Sequence, residues 1–281
     1  MSTIHLPPKV ITSPSNPIVK DIKALEQRKY RKETGLFLVE GLRSVIEGME
    51  LGAELKYLAY HADKKDQDDI KRCVAYCYKC KGLPLEVNDL VLEKISRKDN
   101  PQAVIGVFTQ NIKSIEDIDL EDINNKNGTY RNYVVLEQVR DPGNLGTIMR
   151  TIDAIGAAGV ILVDQCCDPY SVETVRATMG SIFSVPVYTT SRDKFIDWSK
   201  NWPGDLIGTT LQTSIDFRER VPRQPLLLLM GNEQAGLSNE LRDAATYCIR
   251  LPMNGRADSL NLAVATGVSL YALLEPWGKN T

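Results

Sequence analysis

Three short stretches gather polar side chains where an apolar run ends and a helical run begins. "RDPGNLGTIMR" offers Asn144 and Arg150, "MGNEQAGLSNEL" offers Gly231, Asn232 and Glu233, and "LPMNGRADSLNLA" offers Ser259 and Asn261. At such a junction the first N–H groups of a helix have no partner within the helix. Each turn taken singly reads as a cap, since Asn144 and Ser259 are residue types favoured at the N-cap. The three together exceed what capping requires. In a doubly wound sheet, ligands bind at the carboxyl ends of strands, where three polar turns can converge.

Other chemistries fare worse. Cys73, Cys77 and Cys80 stand in "CVAYCYKC" with the C-x3-C-x2-C spacing that holds an iron–sulfur cluster through thiolates. Residues 66–81 read as a helix, however, and these spacings set the cysteines on one face with Ile70 and Val74, as in a core. Cys166, Cys167 and Cys248 lack partners at metal-site spacing, and His5 and His61 are too few for a histidine-based site, so no metal is expected. Gly143, Gly146, Gly156 and Gly159 follow an apolar strand without forming G-x-G-x-x-G, which counts against a dinucleotide site. Gly156 and Gly159 read as a helix C-cap and a turn.

The elements that must position these turns follow from apolar spacing. The 281 residues are 43% hydrophobic and 25% charged, enough for a core and, by length, two domains. No apolar run approaches the roughly 18 residues of a membrane span. "MSTIHLPPKV" carries no signal pattern, so a cytoplasmic protein with reduced thiols is expected. Residues 1–110 alternate short strands and helices and read as a small α/β domain. Residues 111–130, acidic and ending in Asn-Gly, read as a linker. From 131 to 281, strands rich in Val, Ile and Leu alternate with helices, the pattern of a parallel sheet covered on both faces. Among these helices, one is expected over "SVETVRATMGSIFSV" (171–185) and the last over 259–275. Net charge is −2, but residues 1–110 carry 18 basic against 15 acidic side chains and residues 111–281 carry 16 against 21. The basic run "KDIKALEQRKYRK" at 20–32 supplies Lys20, Lys23, Arg28, Lys29, Arg31 and Lys32, which a polyanion would meet first; a solvated helix face is the plain alternative.

The stretches "DPGNLGTIMRT", "GNEQAGLSNEL" and "LPMNGRADSLNLAVA" resemble, in order and spacing, the three motifs of the SpoU/TrmH class of SPOUT methyltransferases. The likeness spans residues 131–276. "NPIVKDIKALEQRKYRKETGLFLVEG" and "NPQAVIGVF" resemble, more weakly, the small substrate-binding domain of many members. The resemblance implies an α/β fold with a C-terminal trefoil knot, although knots are otherwise nearly absent from proteins. It also implies a homodimer with active sites at its interface, and methylation of a ribose 2′-hydroxyl in structured RNA with S-adenosylmethionine as donor. It assigns Arg150, Asn144, Glu233, Ser259 and Asn261 to the reaction, and Gly231, Leu251, Met253, Leu260 and Leu211 to the cofactor. Ribosomal RNA is preferred as substrate because the extra domain accompanies many members that act on it. Transfer RNA, a base rather than a ribose, and a non-catalytic RNA-binding module are the alternatives.

Overall fold

The computed structural model describes residues 7–96, 103–121, 123, 130–212 and 215–274. The chain divides into two compact units, one comprising residues up to Gln110 together with Tyr170–Phe183, the other Asn111–Pro169 with Ser184 onward.

The first unit runs β1 (Lys9–Ile11), α1 (Pro17–Ala24), α2 (Arg28–Thr34), β2 (Leu36–Glu40), α3 (Leu42–Glu50), β3 (Leu55–His61), α4 (Asp68–Lys79), β4 (Leu83–Val87), α5 (Asp89–Ile95) and β5 (Val104–Thr109). Its sheet has the order β1-β4-β3-β5-β2. β1, β4 and β3 are parallel, while β5 runs antiparallel to β3 and β2. The basic run is two helices rather than one. Asn16 caps α1 through Ile18 N with Pro17 at the first position, the chain breaks at Gln27, and Gly35 in the left-handed region (φ 66°) ends α2. On α4, Ile70, Cys73 and Cys77 are buried, whereas Cys80 sits at the half-exposed C-cap.

The second unit runs β6 (Ile112–Ser114), β7 (Tyr133–Glu137), α6 (Pro142–Ile155), β8 (Gly159–Val163), then α7 (Val172–Thr178) in the segment grouped with the first unit, β9 (Val187–Thr190), α8 (Arg192–Ser199), β10 (Leu206–Thr209), β11 (Leu227–Met230), α9 (Asn239–Ala244), β12 (Tyr247–Ile249) and α10 (Leu262–Leu274). Its seven strands are parallel in the order β12-β10-β11-β7-β8-β9-β6. β7, β8 and β11 are buried at every position, as strands covered on both faces must be. Gly156 caps α6 at φ 72°, while Gly159 begins β8 rather than a turn.

Two expectations change here. The acidic stretch after residue 110 is more than a linker: its start pairs with β9 as the sheet's edge strand, and Ile115, Ile118 and Ile123 are buried in one cluster with Tyr133, Phe195 and Trp202. The helix expected over 171–185 stops at Thr178, with Met179 (φ 52°) and Gly180 (φ 106°) both in the left-handed region. This segment packs within the first unit: the Tyr170 ring lies 4.5 Å from that of Phe37, and Arg176 Nε donates to Glu40 Oε2 at 3.1 Å.

Candidate active site

In the second unit, the carboxyl ends of β7, β10, β11 and β12 surround a cleft of 830 Å³. The β7–α6 turn contributes Asp141 and Asn144, the end of β10 contributes Thr209 to Gln212, and the turn after β11 contributes Met230 to Leu237. Leu251, Met253 and Ser259 to Leu262 come from the turn after β12. The three polar turns therefore meet. Of the residues assigned to the reaction, Asn144, Glu233, Ser259 and Asn261 line the cleft, as do all five assigned to the cofactor, Gly231, Leu251, Met253, Leu260 and Leu211. Arg150 does not line it. That residue is exposed on α6 and makes no side-chain hydrogen bond or ion pair among the described residues.

Local capping explains why these side chains are available. Asp141 caps α6 by accepting from Asn144 N at 2.6 Å, with Pro142 following at the first helical position. The Asn144 side chain is thus released from capping. Its Nδ2 donates to Glu233 Oε1 at 3.3 Å, and its Oδ1 accepts from Asn261 Nδ2 at 2.9 Å. Asn261 in turn caps α10, its Oδ1 accepting from Ala263 N and Val264 N at 2.9 and 3.3 Å. The caps are Asp141 and Asn261, not Asn144 and Ser259. This is also why α10 starts at Leu262.

Glu233 ties the turn after β11 to the turn after β7. Its carboxylate accepts from Arg140 N and Asp141 N, both at 3.2 Å. Partial burial opposes ionisation of Glu233, but these backbone donors and the Asn144 amide outweigh it and hold the carboxyl below its usual range. The turn itself is closed on its own backbone: Asn232 N and Gly236 O are 3.1 Å apart, Gly236 N and Asn232 O 2.9 Å. A Cβ at Gly231 would come within 2.1 Å of Gly236 C and Leu237 N, so only glycine permits this approach. Asn232 braces the turn by donating to Gln138 O at 2.8 Å and accepting from Gln234 N and Ala235 N.

The cleft fits a nucleoside-sized cofactor. Apolar walls from Met230, Leu251, Met253 and Leu260 stand beside polar groups of Thr209, Thr210 and the glycine turn, the mixture expected of a small-molecule site. Reading the sequence missed Asp141, Thr209 and Thr210. The Asp-Pro pair signalled a helix start, but nothing in the "IGTT" string marks its threonines as cleft residues.

In the first unit, Lys20, Arg28, Lys29 and Lys32 are exposed, and Lys23 is half-buried and paired with Glu26 at 2.8 Å. At 100° per residue, Arg28, Lys29 and Lys32 share one side of α2. Arg31 departs from the expected basic face. It is 4% exposed, and its Nη1 donates to Leu25 O at 2.7 Å, so it anchors α2 and is not available to a phosphate.

Among the described residues, no three or more His, Cys, Asp or Glu are grouped to hold a metal ion, and no helix is long and apolar enough to cross a membrane.

The SpoU rRNA Methylase family matches residues 131–271, and the MRM3-like substrate binding domain matches residues 16–106. The crystal structure of an AdoMet-bound rRNA methyltransferase from Sinorhizobium meliloti is similar with a TM-score of 0.86 at 46% identity, over 94% of this chain and 97% of that one. A 23S rRNA (guanosine(2553)-2′-O)-methyltransferase of Bacillus subtilis is 29% identical over 94% of this chain and 99% of its own length. A 23S rRNA (uridine(2479)-2′-O)-methyltransferase of Streptomyces viridochromogenes is 32% identical, covering 88% of this chain and 85% of the relative.

Proposed function

Since the chain belongs to the SpoU rRNA methylase family, we propose that it methylates a ribose 2′-hydroxyl of ribosomal RNA, with S-adenosylmethionine held in the cleft at the carboxyl ends of β7, β10, β11 and β12. The observation that carries this reading is the hydrogen-bonded chain Glu233–Asn144–Asn261, which brings the three polar turns together at the mouth of a cofactor-sized cleft.

When bound there, S-adenosylmethionine supplies an electrophilic methyl group on a sulfonium that leaves as a neutral thioether. The chain's own groups do the rest. Gly231, the backbone near Leu251 and Met253, Leu260 and Leu211, all at the cleft, would hold its adenosine and methionine parts. Asn144 positions the ribose, braced by Glu233 and Asn261, so that in-line geometry supplies much of the rate. Ser259 offers its hydroxyl to the substrate at the cleft edge. A proton must leave the 2′-oxygen, and help at that step is typically worth about 10²–10⁴-fold. Arg150 holds its own proton, because a guanidinium pKa exceeds about 12. Its role in this reading is to clamp an RNA phosphate bidentately, while a phosphate oxygen or water takes the proton.

Arg150 is not among the residues that line the cleft of its own chain. This favours a homodimer whose second copy completes the site. The outer side of α10 supports such a face, with Val264 52%, Val268 43% and Tyr271 37% exposed at helical spacing. The passage of the 251–261 turn across the cleft, before α10 packs on α6, is consistent with the family's trefoil knot. Lys20, Lys23, Arg28, Lys29 and Lys32 serve as the phosphate-binding side of the first unit. The setting is cytoplasmic.

Ribose methylation blocks alkaline cleavage at the modified nucleotide. Mapping alkali-resistant positions in ribosomal RNA from cells with and without the protein tests the reading. An unchanged ribosomal map with a lost position in transfer RNA would redirect the substrate; no lost position at all would refute the activity.

A further inference from the structure

The turn after β11 is held at two places by two carboxylates that point in opposite directions. From its tip, Glu233 reaches back to Arg140 N and Asp141 N in the turn after β7. From the end of β7, Glu137 reaches forward: its Oε2 accepts from Ser238 N, at the foot of the same turn, at 2.7 Å. Glu137 is 2% exposed, and Leu237, which lines the cleft beside Ser238, is 5% exposed. The other Glu137 oxygen lies 2.9 Å from Arg192 Nε. That guanidinium is shared with Asp164 at 3.1 Å and Glu240 at 3.3 Å.

We propose that Glu137 is a positioning residue for cofactor binding, fixing the foot of the 231–237 turn as Glu233 fixes its tip. The inference rests on the cleft being the S-adenosylmethionine site. The backbone of this turn forms one wall of the cleft; besides its internal Asn232–Gly236 pair and the bond from Asn232 Nδ2 to Gln138 O, these two carboxylates anchor it to β7 and the turn that follows. Glu233 also holds Asn144, so loss of its anchor affects the reacting end. Glu137 touches no part of the reacting end; its loss loosens the wall and leaves the Asn144–Asn261 pair in place. The two carboxylates therefore divide the work, one toward turnover and one toward cofactor affinity.

Charge matters as well as shape. The Glu137 carboxylate faces a donor on each side: Oε2 accepts from Ser238 N, and Oε1 lies in an ion pair with Arg192. In Glu137→Gln one of these positions becomes an NH2, which meets a donor whichever way the amide turns. If its oxygen stays on Ser238 N, the amide faces the guanidinium; if it flips, the Ser238 bond is lost.

The test is calorimetric titration of the full-length protein, without RNA, with S-adenosylmethionine and separately with S-adenosylhomocysteine. For Glu137→Gln, the loss of one charge-assisted hydrogen bond weakens both affinities by about tenfold or more. In methyl transfer the KM for S-adenosylmethionine rises in parallel, while kcat at saturating cofactor falls by a smaller factor. Glu240→Gln, which removes the exposed partner of Arg192 and leaves Glu137 on Ser238, binds as the unsubstituted protein does. Should Glu137→Gln fail to fold by circular dichroism, Glu137→Asp carries the test. It keeps the charge beside Arg192 but withdraws the carboxylate from Ser238 N, and the same weakening is expected. A folded Glu137 variant with unchanged affinity overturns the proposal while leaving the cofactor reading intact. Failure of the unsubstituted protein to bind either compound overturns the cofactor reading itself.

Discussion

Asn261 Nδ2 donates to Asn144 Oδ1 at 2.9 Å, joining two helix starts that are 117 residues apart in the chain. The same Asn261 caps α10 with its other amide atom. Capping and bridging can therefore be separated. Asn261→Asp keeps an acceptor for Ala263 N and Val264 N but turns the donor facing Asn144 into a second acceptor. Thermal unfolding of Asn261→Asp should match the unsubstituted protein while methyl transfer falls sharply. Asn261→Ala should lose transfer and also about 0.5–2 kcal/mol of stability.

Arg150→Ala should abolish methyl transfer and leave S-adenosylmethionine affinity within a few-fold. The side chain is exposed and unpaired among the described residues, so stability should change by no more than about 0.5 kcal/mol. Near-normal turnover of this variant on its RNA would remove Arg150 from the reaction.

The stretch after Gln110 decides where the second unit can be cut. A fragment of residues 131–281 lacks β6 and the buried Ile115, Ile118 and Ile123. Each buried isoleucine contributes about 1.5–3 kcal/mol, and a domain has only about 5–15 kcal/mol in all. That fragment should show no cooperative urea transition by tryptophan fluorescence, whereas a fragment of residues 111–281 should show one, lower than the whole chain's because Tyr170 and Phe183 lose Phe37 and Phe108. The longer fragment should bind S-adenosylmethionine yet methylate RNA poorly. Transfer by the whole protein should weaken steeply with added salt, because Lys and Arg contacts to phosphate carry RNA affinity.

Burial raises the thiols of Cys73 and Cys166 to about 11 and those of Cys77 and Cys167 to about 12, from an ordinary 9.0. The folded state keeps these protons where the unfolded state releases them. Their contribution to stability is full below pH 9 and is lost as pH rises through the folded values of 11 to 12. Urea midpoints should fall in that alkaline window. At neutral pH, iodoacetamide should leave these four cysteines unmodified in the folded protein and alkylate them in urea, with mass spectrometry as the readout.

The exposed Val264, Val268 and Tyr271 of α10 form one stripe. Sedimentation equilibrium at micromolar concentration should give twice the 31.4 kDa chain mass. Val268→Glu should shift the mass toward the monomer and reduce methyl transfer. A monomeric mass with full activity would refute the dimer.

Much of this protein is legible in its sequence, for physical reasons. Short apolar runs such as "LLLLM", alternating with helical spacings, are the pattern of strands covered on both faces, so the parallel sheet follows from the order of the pattern. The three polar turns stood out because each interrupts an apolar pattern at a strand end, and the motif resemblance attached a chemistry to them. The buried helix face of Ile70, Cys73 and Cys77 was likewise visible as a spacing. Tertiary structure alone decided what depends on a partner far away in the chain. Arg31 sits among exposed cations in sequence and is buried because Leu25 O lies within its reach. Ile112 to Ser114 form a strand because β9 offers an unpaired edge. Asp141 and Asn261 rather than Asn144 and Ser259 are the caps: Asp141 accepts from Asn144 N, which leaves the Asn144 amide for Glu233, and Asn261 accepts from Ala263 N. Local pattern records what a residue prefers by itself; which preference prevails is set by the hydrogen-bond partner that folding brings within 3 Å or so.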